Sequence, residues 1–301
     1  PQGPGRRPAH ERDGRLTDAP SEAPPDAPPG QGAHAERHRA MLAAYGFGLF
    51  PLPAYRDAAR GPWRVVRHGP ATVTGYVSGA VIEPCRHVLY ERRRPWMSTS
   101  LLEQESHAVH VDRARGAVVV AGLGMAMYAY AAAHKPAVER VVVVERAPEV
   151  IALVSEAAGL RSWPGRDKVT ILEADALGPE LAARVDAALA GRRPSYLYAD
   201  IWTDAGAAAA PAETAAMVRA LAPEAAGWWG QELSFARWCH GAGRPPDAAA
   251  LGDYAAAVGV PIPITTGYAA FCRDVAAARL PADRSPPWRR LWRALRRKSA
   301  G

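Results

Sequence analysis

The chain has 301 residues, 49% of them hydrophobic, enough to bury a full-sized core in one or two domains, and no apolar run reaches the roughly 18–20 residues that a membrane-spanning helix needs. Its formal charge of +7 is local: residues 279–298 hold eight Arg or Lys against one acid, which leaves 29 basic and 29 acidic residues elsewhere. A neutral body with a basic tail speaks against a nucleic-acid groove, and three widely spaced cysteines (Cys85, Cys239, Cys272) speak against a disulfide framework or a thiolate zinc site.

Residues 1–33 carry eight prolines and four glycines in their first thirty positions, and no aromatic residue precedes Tyr45. Such a segment buries too little apolar surface to offset its ordering entropy, so it is expected to be disordered. It also lacks the apolar core of a signal peptide, which points to a cytoplasmic protein. His34 to Tyr45 reads as a short helix, ended by Gly46, Gly48 and two prolines. Three β-like pieces follow, Trp63 to His68, Thr72 to Val77 and Val81 to Tyr90, separated by Gly69-Pro70 and Ser78-Gly79. They predict a small antiparallel sheet, so that residues 34–115 form a β-rich region ahead of the main domain. His68, Cys85, His87, His107 and His110 match no zinc spacing, and no metal is expected. Residues 96–110, WMSTSLLEQESHAVH, have two readings. One is an active-site lip offering Trp96, Glu103, Gln104, Glu105 and His107; the other is a solvated amphipathic helix capped by Ser98 or Ser100.

The stretch from Ala117 to Arg146 is the organising element. An apolar run ends in Gly122-Leu123-Gly124, a helical stretch follows, and a second apolar run, Val141 to Val144, ends on Glu145: a βαβ unit. Neither run alternates, as expected for parallel strands covered on both faces. The two glycines allow a tight turn and a close backbone approach to a ligand. Glu145 lies 21 residues beyond Gly124, where an acid can accept hydrogen bonds from a ribose diol. The alternation continues: helix Pro148 to Ala158, strand Lys168 to Leu172, helix Pro179 to Leu189, strand Ser195 to Ala199, helix Pro211 to Leu221, and a fifth strand near Gly227 to Glu232. This predicts an α/β fold, a doubly wound, mostly parallel Rossmann-like sheet over residues 116–280. Toward the end, a helix at Ala248 to Val258 precedes strand-like Val260 to Thr265 and a candidate antiparallel edge at Tyr268 to Cys272.

Glu145, Asp175 and Asp200 each follow the end of a successive predicted strand. In an open α/β sheet those ends line one crevice, and three carboxylates gathered there favour a cationic or hydroxyl-rich ligand. The order AGLGMAM (121–127), Glu145, ADA (174–176) and Asp200 resembles the class I S-adenosylmethionine-dependent methyltransferases, and within them the spermidine-synthase-like branch, over roughly residues 96–235. The resemblance implies that Gly122, Leu123 and Gly124 face the methionine part of S-adenosyl-L-methionine, that Glu145, with Arg146 beside it, holds the ribose, and that Asp175 with Ala176 reads the adenine. Asp200 would stand near the methionine amino group or the reacting centre. Val120 stands where the family usually has an acid, and Asp200 and Asp204 are four apart rather than three, so a polyamine substrate is not implied. A nicotinamide dinucleotide would need a third glycine at position 127, where Met127 stands.

The function expected on this basis is alkyl transfer, most simply of methyl, to a small-molecule acceptor. Asp200 is the candidate for orienting or deprotonating an amine nucleophile, with Glu105, His107 and Glu232 behind it. Trp202 is the candidate for laying a ring against the sulfonium, and Trp228 or Trp229 for walling the acceptor site. The alternative is attack on the aminocarboxypropyl carbon, by an external amine or by the cofactor's own amino group, releasing methylthioadenosine. Residues 281–301 form a basic amphipathic tail, with Trp288, Leu291, Trp292 and Leu295 at helical spacing. It is expected to dock on its own protein or on a second subunit, as in a homodimer, and an anionic membrane is the competing surface.

Overall fold

Two unbroken valine runs build the centre of the molecule. In the computed structural model, which describes residues 40–280, they become the parallel strands β7 (Gly116–Ala121) and β8 (Val138–Glu145). Val118, Val119, Val141 and Val143 are fully buried, each worth about 2 kcal/mol relative to an exposed side chain. With β9 (Val169–Glu173), β10 (Tyr196–Ala199) and β11 (Ala225–Trp228) they form one five-stranded parallel sheet in the order β11-β10-β7-β8-β9. Helices flank it: α2 (Met127–His134), α3 (Pro148–Ala157), α4 (Leu181–Leu189) and α5 (Ala210–Leu221) connect successive strands. The fold is mixed α/β and consistent with the Rossmann-like expectation. The strand order reverses between β7 and β10, so their carboxyl ends border the switch point at which such sheets bind ligands.

Ahead of this sheet stand two small antiparallel ones. Strands β1 (Ala58–Arg60), β2 (Trp63–His68), β5 (Arg86–Glu91) and β6 (Arg94–Ser98) form a four-stranded sheet, while β3 (Ala71–Thr74) pairs with β4 (Ala80–Glu83) in a sheet of their own. Strands β1 and β2 pack on α3. The single piece expected from Val81 to Tyr90 is thus two strands in different sheets. Pro84, without an N–H for the ladder, marks the break.

Four other expectations are corrected. Trp96 to Ser98 belong to β6, and the helix α1 (Leu101–Arg113) begins only after Ser100. Ser100 makes no side-chain cap; the Leu101 N–H donates instead to Glu83 Oε1. The helix is not solvated, because Glu103, Glu105, Ser106, His107, Val109 and His110 are all buried. The fifth strand stops at Trp228; Gly230, at φ 76°, turns the chain, and Gln231 and Glu232 open α6 (Gln231–Ala242). Residues 260–265 carry no regular strand, although the Ala226 N–H donates to Pro261 O, because Pro261 and Pro263 cannot donate to a ladder. Helix α7 (Ala248–Val258) is as expected, but Tyr268 to Cys272 lie inside α8 (Thr266–Arg279), capped by Thr265 Oγ1 accepting from the Tyr268 N–H. The expected disorder of residues 1–33, the start of the helix at His34 and the basic tail lie outside the described residues.

Candidate functional site

The carboxyl ends of β9, β8, β7 and β10 stand side by side, and each carries one of the singled-out features. Asp175 follows β9, Glu145 closes β8, the Gly122–Gly124 turn follows β7 and Asp200 follows β10. Asp175 is exposed, and its Oδ1 accepts the Leu177 N–H at 2.9 Å. Ala176 beside it is buried, and Arg146 is exposed. Glu145 accepts the Leu123 N–H at 3.0 Å through Oε2 and the Ala147 N–H at 2.9 Å through Oε1, so its carboxylate ties the glycine turn to the end of β8.

The glycines serve close packing within the protein. Gly122 sits at φ 95°, and a Cβ there would lie 2.0 Å from the carbonyl oxygen of Asp200. At Gly124 (φ 50°) a Cβ would lie 2.5 Å from Met97 Sδ, which also accepts the Met125 N–H at 3.0 Å. The thioether of Met97 therefore rests against the turn where the methionine arm of the expected cofactor would lie. That obstacle is the end of a flexible side chain rather than backbone, so the turn remains compatible with a ligand if Met97 moves.

A small cleft of about 10 Å³, room for a single water molecule, lies beside Gly124 and Asp200, walled by Trp96, Met97, Trp202 and Trp229 and reached by Glu103 from α1. A separate hollow below Leu123 and Trp163 is apolar and carries no charged side chain. Hydrogen bonds fix two of the walls. Trp202 Nε1–H donates to Glu213 Oε2 at 2.6 Å, and Trp229 Nε1–H donates to Ser106 Oγ at 2.9 Å. Trp228, in contrast, is a core residue with no exposure, packed against Tyr254. Its proposed role as a wall falls to Trp229 because successive residues at a strand end point to opposite faces.

The ionisable groups of the cleft are Glu103 and Asp200, with His107 hydrogen-bonded behind Asp200. His107 Nε2–H donates to Asp200 Oδ2 at 3.2 Å and Nδ1–H donates to the Glu103 carbonyl at 2.7 Å. With an acceptor at each ring nitrogen, the imidazole suits the doubly protonated cation. Burial pushes its pKa down, but the hydrogen bond and charge of Asp200, helped by Glu103, outweigh this and raise it above the ordinary value. Burial pushes the Glu103 carboxyl up to about 7, against the lowering effect of His107 and with a further rise from Asp200. Its Oε2 is buried, with no hydrogen-bond partner among the described residues.

Asp200 and Trp202 thus meet at one cleft, and His107 stands behind Asp200, buried and outside the lining. Glu105 does not line it: fully buried, its Oε2 accepts the Val77 and Ser78 N–H groups at 2.8 and 3.2 Å and holds the loop after β3. Glu232 also lies away from the cleft lining, bound by Tyr76 and Tyr268. Glu103 takes the place given to Glu105. The signal was its spacing of four from His107, which puts both on one helix face. Among the described residues no group of three or more His, Cys, Asp or Glu is arranged to hold a metal ion, and no helix is long and apolar enough to cross a membrane. No protein-family model matches the chain, and no curated protein matches it.

Proposed function

We propose that this protein is a transferase dependent on S-adenosyl-L-methionine, of the class I methyltransferase superfamily and its spermidine-synthase-like branch, alkylating a small-molecule acceptor. The observation that carries this reading is the row Asp175, Glu145, Gly122–Gly124 and Asp200 on four adjacent strand ends, leading into a tryptophan-walled cleft. In that row Asp175 and Ala176 would hold the adenine, Glu145 beside Arg146 the ribose, and Gly122, Leu123 and Gly124 the methionine arm. The bound cofactor would supply an electrophilic carbon on a sulfonium. The chain's part is to position and shield: a displacement of this kind depends chiefly on in-line placement, and Trp202 and Trp229 exclude water and offer ring faces to a cation. Asp200 orients the acceptor.

A second reading rests on Met97. Its sulfur lies against Gly124, and an arm displaced from the turn would bring its own carbons, rather than the methyl group, toward the acceptor. Mass spectrometry of the products decides: adenosylhomocysteine supports methyl transfer and methylthioadenosine supports the second reading. Neither product, with no calorimetric binding of S-adenosylmethionine, overturns both. Asp175→Ala, a change at an exposed position, is expected to weaken cofactor binding about tenfold without loss of fold, the worth of one hydrogen bond to a charged group.

A further inference from the structure

The geometry points to a binding surface for single-stranded nucleic acid at one end of the four-stranded antiparallel sheet, where Arg60, Arg64, Arg92, Arg93 and Arg94 come together. The surface is an edge rather than a groove, and it stands apart from the transferase reading.

Four observations carry it. First, strand pairing gathers the charges. Arg60 faces Trp63 across the β1–β2 turn, Trp63 faces Glu91 on β5, and Glu91 faces Arg94 across the β5–β6 turn, so both turns lie at the same end of the sheet. At one strand spacing per step the row spans roughly 14 Å, too wide for a single phosphate group. The Arg92 N–H donates to Pro62 O at 2.6 Å and ties the two turns into one blunt edge. The balance of 29 basic and 29 acidic residues outside the tail conceals this local excess.

Second, the five arginines are exposed and lack acidic partners. Glu91, Glu149 and Asp204 border them, yet among the described residues none of the five forms an ion pair. Arg56, Arg115, Arg192, Arg244 and Arg273, elsewhere on the surface, each pair with an acid. Third, Arg92 holds a left-handed backbone, φ 55°, at the first of the two central positions of its hairpin turn, where glycine would avoid the strain. An arginine kept where its backbone is disfavoured points to a use for the side chain. Fourth, two guanidiniums lie against rings: Arg64 is 5.0 Å from the Tyr90 ring centre and Arg94 is 6.0 Å from that of Trp96. Such planes grip phosphate with paired hydrogen bonds and give unpaired bases a flat face to stack on.

The same edge is ill suited to the competing partners. Its other exposed residues, Gly61, Pro62 and Pro95, give a membrane no large apolar side chain to take up. A blunt edge also has no helix or projecting ribbon to enter the groove of a duplex.

The test is fluorescence anisotropy of a labelled, unstructured RNA of about 12 nucleotides with the full chain, between about 50 and 200 mM KCl. Affinity should fall as salt rises. In the triple variant Arg60→Gln, Arg92→Gly, Arg93→Gln, which leaves Arg94 on Thr203, binding should weaken on the order of tenfold or more, and the slope of log affinity against log salt should flatten by about 2, or ~0.7 for each of the three lost phosphate contacts. Arg92→Gly alone should weaken binding while its urea midpoint holds or rises, which separates the effect from a folding defect. Unchanged affinity and slope in the triple variant overturn the surface, whatever binding the basic residues 281–301 contribute. Equal affinity for a duplex of the same length overturns the single-strand assignment. Displacement of the RNA by a polyglutamate peptide as effectively as by unlabelled RNA, or phosphatidylglycerol vesicles that bind the wild type and not the triple variant, overturns the nucleic-acid assignment in favour of an acidic protein or a membrane.

Discussion

At the scale of single residues, the cleft stores its chemistry in the protonation of two groups that folding places side by side. The Glu103 carboxyl is raised from 4.5 to about 7, so between those values the unfolded chain releases a proton that the folded chain keeps. Stability therefore falls as pH rises through this window, by roughly 3 kcal/mol at most. His107 acts in the same direction. Its raised pKa contributes stability below the unfolded value, which is lost as pH climbs through the folded value. Urea midpoints are expected to be higher at pH 5 than at pH 8. Glu103→Gln should flatten this difference by removing a carboxyl that ionises unfavourably, and it should be more stable than wild type at pH 8. If the two proteins show parallel pH dependence, Glu103 is not the buried acid described here.

At the scale of elements, the turn after β7 is shaped by what lies against it. Gly122→Ala puts a Cβ 2.0 Å from a backbone carbonyl at φ 95°, and neither partner can move without shifting β7 or β10. The expected cost is roughly 2–4 kcal/mol, with loss of the Asp200 position. Gly124→Ala meets only the end of Met97 and should cost about half as much; equal urea midpoints for the two variants would contradict this. The contrast explains what could be read in advance. The valine runs, the glycine turn and the strand-end acids were legible because a buried parallel sheet needs apolar strands, and its crossovers need helices of alternating sequence position. The last third was not. Tyr268, Phe271, Cys272 and Val275 do sit at helical spacing and are buried on one face of α8, but aromatic and β-branched residues around Val260 to Thr265 imitate a strand. Glu103 was named on the candidate lip, but Glu105 was preferred to it for a related reason. Glu103 and Glu105 are two apart on one helix; the spacing of four groups Glu103 with His107, but which face meets β3 and which the cleft is decided only when the neighbouring strands are placed.

At the scale of the whole molecule, the β-rich region before residue 116 and the sheet after it share one interior. Tyr45 Oη–H donates to Asp274 Oδ2 at 2.7 Å, and the Arg279 guanidinium donates to the carbonyls of Thr74, Gly75 and Tyr76, so α8 ties back to the beginning of the described chain. Glu232 is the node. Its carboxyl binds the hydroxyl of Tyr76 at 3.1 Å and that of Tyr268 at 2.8 Å, and His110 Nε2 of α1 lies 3.9 Å from it. The helix that supplies Glu103 to the cleft, and His107 to Asp200 behind it, therefore leans on the same buried cluster. Glu232→Ala removes the acceptor of both tyrosine hydroxyls, leaving Tyr268 only the Gln231 amide that donates to it, and should cost roughly 2–4 kcal/mol, whereas Tyr76→Phe removes one bond and should cost about 1 kcal/mol. Because the lost partners come from both halves of the chain, the variant should still unfold in one transition at a lower midpoint. Tryptophan fluorescence, which reports partly on Trp63 and Trp96 in the β-rich region, should then coincide with far-ultraviolet circular dichroism. Two separated transitions would mean that the β-rich region folds on its own, and that the cleft is assembled by docking two finished parts instead of by closing a common core.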